Sequence, residues 1–188
     1  MIELETLRNI ASSMGRSWNI SEYFPELNGR VTLFERSDSN ETNKIKGGVP
    51  KSHPPESLSR SHSGRFTIEV VSNQRCGIDL EIANEIDPEW SFDSESFELA
   101  ILAPGEKELI MSSSMSSAKD LATVIWVSKE ALAKALGDAT NYEPNQIYSP
   151  MCWEAMRPDN WQAVYVDFLT SKSERLIVWL VAERSAVV

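Results

Sequence analysis

Apolar and polar side chains alternate along residues 65–72, where Phe66, Ile68 and Val70 are set against Thr67 and Glu69. A period of two marks a strand with one buried face. The same reading predicts strands at 30–35, opened by Asn28-Gly29, around 58–61, and at 76–82. Residues 72–75 (Ser-Asn-Gln-Arg) are expected to turn 65–72 back onto 76–82 as a hairpin. Further on the period lengthens. Residues 118–137 contain no proline, carry Leu121, Ile125, Leu132 and Leu136 as an apolar stripe, and end on Gly137, all signs of a long helix. Weaker helical spacing covers 1–16 (Leu4, Leu7, Ile10, Ala11, Met14). The acidic, aromatic stretch 86–97 leads into another helix, and Pro104-Gly105-Glu106 opens a third. Residues 37–56, broken by Gly47-Gly48, Pro50 and Pro54-Pro55, are a loop, and 112–117 (SSSMSS) is a low-complexity, flexible stretch. Two more strands, 162–169 and 176–183, are joined by 170–175. Hairpin strands mixed with helices predict an α+β class, an antiparallel sheet packed with a long helix, and not a parallel βαβ array.

Composition narrows the function. The 188 residues carry 41% apolar and 24% charged side chains, as expected of one folded domain. A net charge of −10 excludes a general nucleic-acid binder. Two cysteines (Cys76, Cys152) and two histidines (His53, His62), with no C-x-x-C pair, leave little room for a Cys/His zinc site. The longest apolar runs, 121–127 and 176–182, fall far short of the ~20 residues of a membrane helix. With no apolar core in the acidic first residues, a cytoplasmic protein without membrane attachment is expected. There is no P-loop and no G-x-G-x-x-G turn. Charge is uneven, however. Residues 30–75 hold eight basic and five acidic residues, so a basic segment lies in an otherwise acidic chain, which suits a small phosphate-bearing anion.

Three local patterns could carry chemistry. In Gly77-Ile78-Asp79-Leu80-Glu81, the two carboxylates share one strand face with α-carbons roughly 6.5–7 Å apart. They could converge on a hard cation such as Mg²⁺, or simply keep a sheet edge soluble. In residues 126–134 (WVSKEALAK), Trp126, Glu130 and Lys134 share one helix face, and a Glu130–Lys134 surface ion pair is the plainer reading. In Ser61-His62-Ser63-Gly64-Arg65, hydroxyls, an imidazole, a glycine and an arginine could cradle an anion or form a polar turn.

Taken in order, S-H-S-G … G-I-D-x-E … W-x-x-K-E-x-x-x-K, with 46 residues between Asp79 and Trp126, resembles the 4′-phosphopantetheinyl transferase superfamily, most closely its surfactin-synthetase-activating type. The resemblance spans about 58–137, and the strands at 162–183 agree with it. It implies a fold of two pseudo-two-fold halves, here 1–75 and 76–188 of a single domain, with the first half shortened. It implies Mg²⁺-dependent transfer of 4′-phosphopantetheine from coenzyme A to a serine of an acyl or peptidyl carrier protein, with release of adenosine 3′,5′-bisphosphate. On that reading Asp79, Glu81 and Glu130 are the metal ligands, and Glu130 also helps deprotonate the carrier serine. Lys134 contacts the pyrophosphate, and Ser61 with His62 holds coenzyme A phosphates. Trp126 reads mainly as packing and Lys129 as a secondary candidate. Lys46, Lys51, Arg30, Arg36 and Arg60 are the basic candidates for the 3′-phosphate, with Lys46 foremost. The protein would act as a monomer or small homo-oligomer. The alternative is a non-catalytic relative that binds coenzyme A or a carrier domain as an interaction module.

Overall fold

A computed structural model describes residues 17–19, 29–35, 57–83, 91–111, 118–153, 160–170 and 172–184. The expected helix at 1–16 and the stretches at 37–56 and 112–117 lie outside these residues. The first sheet is built from β1 (Ser17–Asn19), β2 (Gly29–Glu35), β3 (Ser57–Ser63) and β4 (Phe66–Ser72), in the order β1-β2-β4-β3 and antiparallel throughout. In β4 the alternating Phe66, Ile68 and Val70 are buried, as their spacing requires. β3 and β4 are joined by a two-residue turn, Gly64-Arg65. Gly64 takes a φ of 53°, in the left-handed region that tight hairpins use.

The hairpin expected between 65–72 and 76–82 does not form. Both edges of β4 are already taken by β2 and β3. The turn at 72–75 instead carries the chain into a second sheet, β5-β7-β6, formed by β5 (Cys76–Ile82), β6 (Trp161–Leu169) and β7 (Arg175–Glu183). This sheet is also antiparallel, with Asp79 opposite Trp179 and Glu81 opposite Ile177. Central β7 is buried on both faces from Leu176 to Ala182, which is why its sequence reads as one unbroken apolar run.

One face of the second sheet (Cys76, Ile78, Leu80, Ile82, Leu176, Val178, Leu180) packs on Leu33, Phe66, Ile68 and Val70 of the first. Its other face (Ile177, Trp179, Val181) receives Val124, Val127, Ala131 and Ala135 of the long helix α3 (Ala118–Leu136). The far side of α3 packs on α1 (Glu95–Ile101) and α2 (Glu106–Met111) through Phe97, Ile101, Ile110, Leu121 and Ile125. Ser94 caps α1, its hydroxyl accepting from Phe97 N–H at 3.3 Å. Helix α3 stops at Gly137, whose φ is 85°. Gly137 N–H bonds Lys134 C=O and Asp138 N–H bonds Ala133 C=O, the paired bonds of a Schellman end. Short 3₁₀ turns at Pro144–Gln146 and Pro150–Cys152 follow. The class is therefore α+β, with two antiparallel sheets and a sandwiching helix. Among the described residues no helix is long and apolar enough to cross a membrane.

Candidate active site

Strand β5 lies directly on α3 at Gly77. A Cβ there would stand 2.0 Å from the carbonyl oxygen of Ala131 and 2.4 Å from the nitrogen of Ala135. Any larger residue would push strand and helix apart. Two positions along, Asp79 faces the same helix. Lys134 Nζ donates to its Oδ1 at 2.5 Å. The expected Glu130–Lys134 pairing along the helix gives way to this contact, because the close approach at Gly77 brings Asp79 within reach of the lysine. Glu130, one turn earlier, instead accepts a hydrogen bond from the Tyr142 hydroxyl.

The other wall of the site comes from β3, and its signal in the sequence is polar: Ser57, Ser59, Ser61 and Ser63 alternate along one strand face and are all buried. The last three comb into β5. Ser59 Oγ accepts from Ile78 N–H at 3.0 Å, and Ser63 Oγ accepts from Ile82 N–H at 3.1 Å. The comb thus satisfies N–H groups of a strand that, among the described residues, pairs only with β7. Ser61 Oγ donates to Asp79 Oδ1 at 2.6 Å, and Ser63 Oγ donates to Glu81 Oε2 at 2.7 Å.

The electrostatics are strained in one direction. Burial pushes the Glu81 carboxyl up to about 7, with Asp79 and Glu130 adding to the rise and Ser63 and Lys134 opposing it. Burial also raises Glu130, opposed by the Tyr142 hydrogen bond and Lys134 and reinforced by Asp79. Burial beside Glu130 raises Tyr142 as well, so the phenol stays protonated. Three carboxylates thus repel one another around one lysine.

His62 is exposed on the face of β3 opposite Ser61 and Ser63, so the strand separates the two members of the Ser61–His62 pair. Arg65, the cationic part of the proposed anion cradle, is occupied by Glu35 and by both oxygens of Glu174, and lies over the Phe66 ring. Arg60 pairs with Glu69 on β4. Arg30 is exposed on β2. Lys46, Lys51 and Arg36 lie outside the described residues. Trp126 is partly buried between the two cores that flank α3, in keeping with packing. Lys129 is wholly buried and donates to Glu106 and to the carbonyls of Ile101, Pro144 and Ile147, which makes it a structural post beneath the site. Cys76 and Cys152 are buried, and burial holds both thiols at about 12, so neither serves as a nucleophile.

The donor set suits a hard divalent ion in its chemistry. Asp79 is 3% exposed, and its Oδ2 is buried with no hydrogen-bond partner among the described residues. An unpartnered carboxylate oxygen at that depth is costly unless a cation takes it. As the side chains stand, Asp79 is held by Lys134 and Glu130 by Tyr142. Among the described residues no three acidic, histidine or cysteine side chains gather into a metal-holding group.

No curated protein matches the chain. The sequence model of one family, described as the 4′-phosphopantetheinyl transferase superfamily, matches residues 75–184. That match runs from the approach to β5 to the end of β7, and so takes in Gly77, Asp79, Glu81, Glu130 and Lys134 together. It covers more than half of the chain and both elements that meet at Gly77, and the protein therefore belongs to the 4′-phosphopantetheinyl transferase superfamily.

Proposed function

We propose that the protein transfers 4′-phosphopantetheine from coenzyme A to a serine hydroxyl of an acyl or peptidyl carrier protein. The serine oxygen forms a bond to the pyrophosphate phosphorus that bears the pantetheine, the bond from that phosphorus to the bridging oxygen breaks, and adenosine 3′,5′-bisphosphate leaves. The observation that supports this reading is the Lys134–Asp79 ion pair at the β5–α3 contact, with Glu81 and Glu130 near enough to act on it electrostatically, inside the family-matched segment.

In this reading Asp79, Glu81 and Glu130 hold Mg²⁺, which when bound supplies charge stabilisation to the pyrophosphate. The chain's own groups do the rest. Glu130, raised by burial, is suited to accept the proton of the carrier serine, directly or through a water. Lys134 neutralises charge at the pyrophosphate from its seat beside Asp79. His62 and Lys46 are assigned to coenzyme A phosphates, while Ser61 serves the site through Asp79. The surfactin-activating type, a pseudo-two-fold pair of halves at 1–75 and 76–188, a monomeric or small homo-oligomeric state and a cytoplasmic setting complete the proposal.

The test is direct. Incubated with apo carrier protein, coenzyme A and Mg²⁺, the wild type should add phosphopantetheine to the carrier serine, read by intact mass. Asp79→Ala and Glu130→Ala should not. Absence of transfer to a fatty-acid, a polyketide and a peptidyl carrier alike would overturn the proposal, and coenzyme A binding without transfer would replace it with the interaction-module reading.

A further inference from the structure

Each carboxylate of the site takes one hydrogen bond from an uncharged hydroxyl. Ser61 donates to Asp79, Ser63 to Glu81 and Tyr142 to Glu130. The three hydroxyls come from two separate parts of the chain, β3 and the turn after α3. Ser63 is itself aimed: its oxygen accepts from Ile82 N–H, so its proton is left for Glu81. Ser61 and Lys134 both bind Oδ1 of Asp79, which leaves Oδ2 buried and unpartnered among the described residues.

A neutral donor has a particular merit here. It fixes a carboxylate's orientation without cancelling its charge, as Ser63 does for Glu81 and Tyr142 for Glu130, while Asp79 takes Lys134 beside Ser61 on one oxygen. We propose that Ser61, Ser63 and Tyr142 are positioning residues, each holding one oxygen of a cation-binding carboxylate so that the other is preset for a divalent ion. The inference rests on the reading of Asp79, Glu81 and Glu130 as metal ligands. Of the three, Tyr142 belongs to none of the sequence patterns, Ser63 stands in them only as a hydroxyl of the anion cradle, and Ser61 as a coenzyme A contact.

The experiment measures Mn²⁺ binding to the full chain by electron paramagnetic resonance, without coenzyme A or carrier, beside the thermal midpoint of each variant. Ser61→Ala, Ser63→Ala and Tyr142→Phe should each raise the Mn²⁺ Kd about 10-fold. Ser63→Thr, which keeps the hydroxyl, should restore most of the affinity. Ser59→Ala removes a tooth of the same comb that, among the described residues, bonds Ile78 N–H and no carboxylate. It should lower the midpoint and leave the Kd unchanged. Wild-type affinity in Ser63→Ala and Tyr142→Phe overturns the positioning role and leaves the transferase reading intact. So does an equal loss in Ser59→Ala, which would make the effect one of folding alone. A wild type that transfers phosphopantetheine yet binds no Mn²⁺ overturns the inference together with the metal part of that reading.

Discussion

Gly77 on β5 stands against Ala131 on α3 so closely that an added Cβ would lie 2.0 Å from the Ala131 carbonyl oxygen. The obstacle is backbone, which has no rotamer to yield. Gly77→Ala should therefore separate strand and helix and cost about 1–3 kcal/mol or more, as overpacking does. The same separation takes Lys134 away from Asp79, so transfer should fall further than stability. Urea unfolding set beside the carrier assay checks both. A variant with wild-type stability and full transfer would show that the contact is not needed.

Lys129 illustrates a different dependence. Its ammonium sits wholly buried among Glu106 and three backbone carbonyls, and burial lowers its pKa against the pull of Glu106. Glu106 in turn accepts from the N–H groups of Ala103 and Ser149. Lys129→Met leaves a buried carboxylate without its cation and should cost about 3–5 kcal/mol. Adding Glu106→Gln should recover part of that loss, since the orphaned charge is then gone. A double-mutant cycle in urea measures the coupling.

The elements were largely legible in the sequence because period and punctuation agree with tertiary structure: 118–137 is a helix to within one residue, and 76–82 is β5 as expected. The hairpin at 72–75 was not legible, because strand pairing depends on which edges other strands have taken, and β2 comes from nearly forty residues away. The carboxylates of the site could be picked out by spacing, but their partners could not. Glu130 and Lys134 lie four apart on one helix, yet each bonds a residue from another element, Tyr142 and Asp79. Lys129, immediately before Glu130 in the motif, points the other way, into the core. The serine comb did leave a trace, four serines at every second position, but a period-two pattern of polar residues ordinarily signals an exposed face, whereas here it is the buried one.

Lys134 is the only cation in contact with Asp79 among the described residues, and its side chain is mostly buried. Lys134→Met keeps the stem and removes the charge. Preorganised charges aimed at a reacting phosphate are commonly worth about 10²–10³ in rate. We expect kcat/KM for coenzyme A to fall by about that factor. Lys134→Arg should recover little, because a planar guanidinium fork does not reproduce the point charge of the ammonium. Steady-state transfer at saturating carrier reads the effect, and a loss under about 5-fold would remove Lys134 from the chemistry.

Glu81 makes stability depend on pH in the direction opposite to a salt-bridged acid. Burial raises its carboxyl in the folded chain to about 7, from 4.5 when unfolded. Between those values the folded state binds more protons than the unfolded one, so unfolding is disfavoured at the acid end. The contribution is complete below pH 4.5 and drains away as pH rises through 7. Measured without divalent ions, urea unfolding of wild type should show this loss between pH 5 and pH 8, superposed on the response of the other acids. Glu81→Gln cannot ionise and should be relatively more stable at pH 8 than at pH 5. The difference between the two proteins isolates the residue. If that difference is flat from pH 5 to 8, Glu81 is ionised in both states across the range, and the crowding of carboxylates at the β5–α3 contact is weaker than their placement implies.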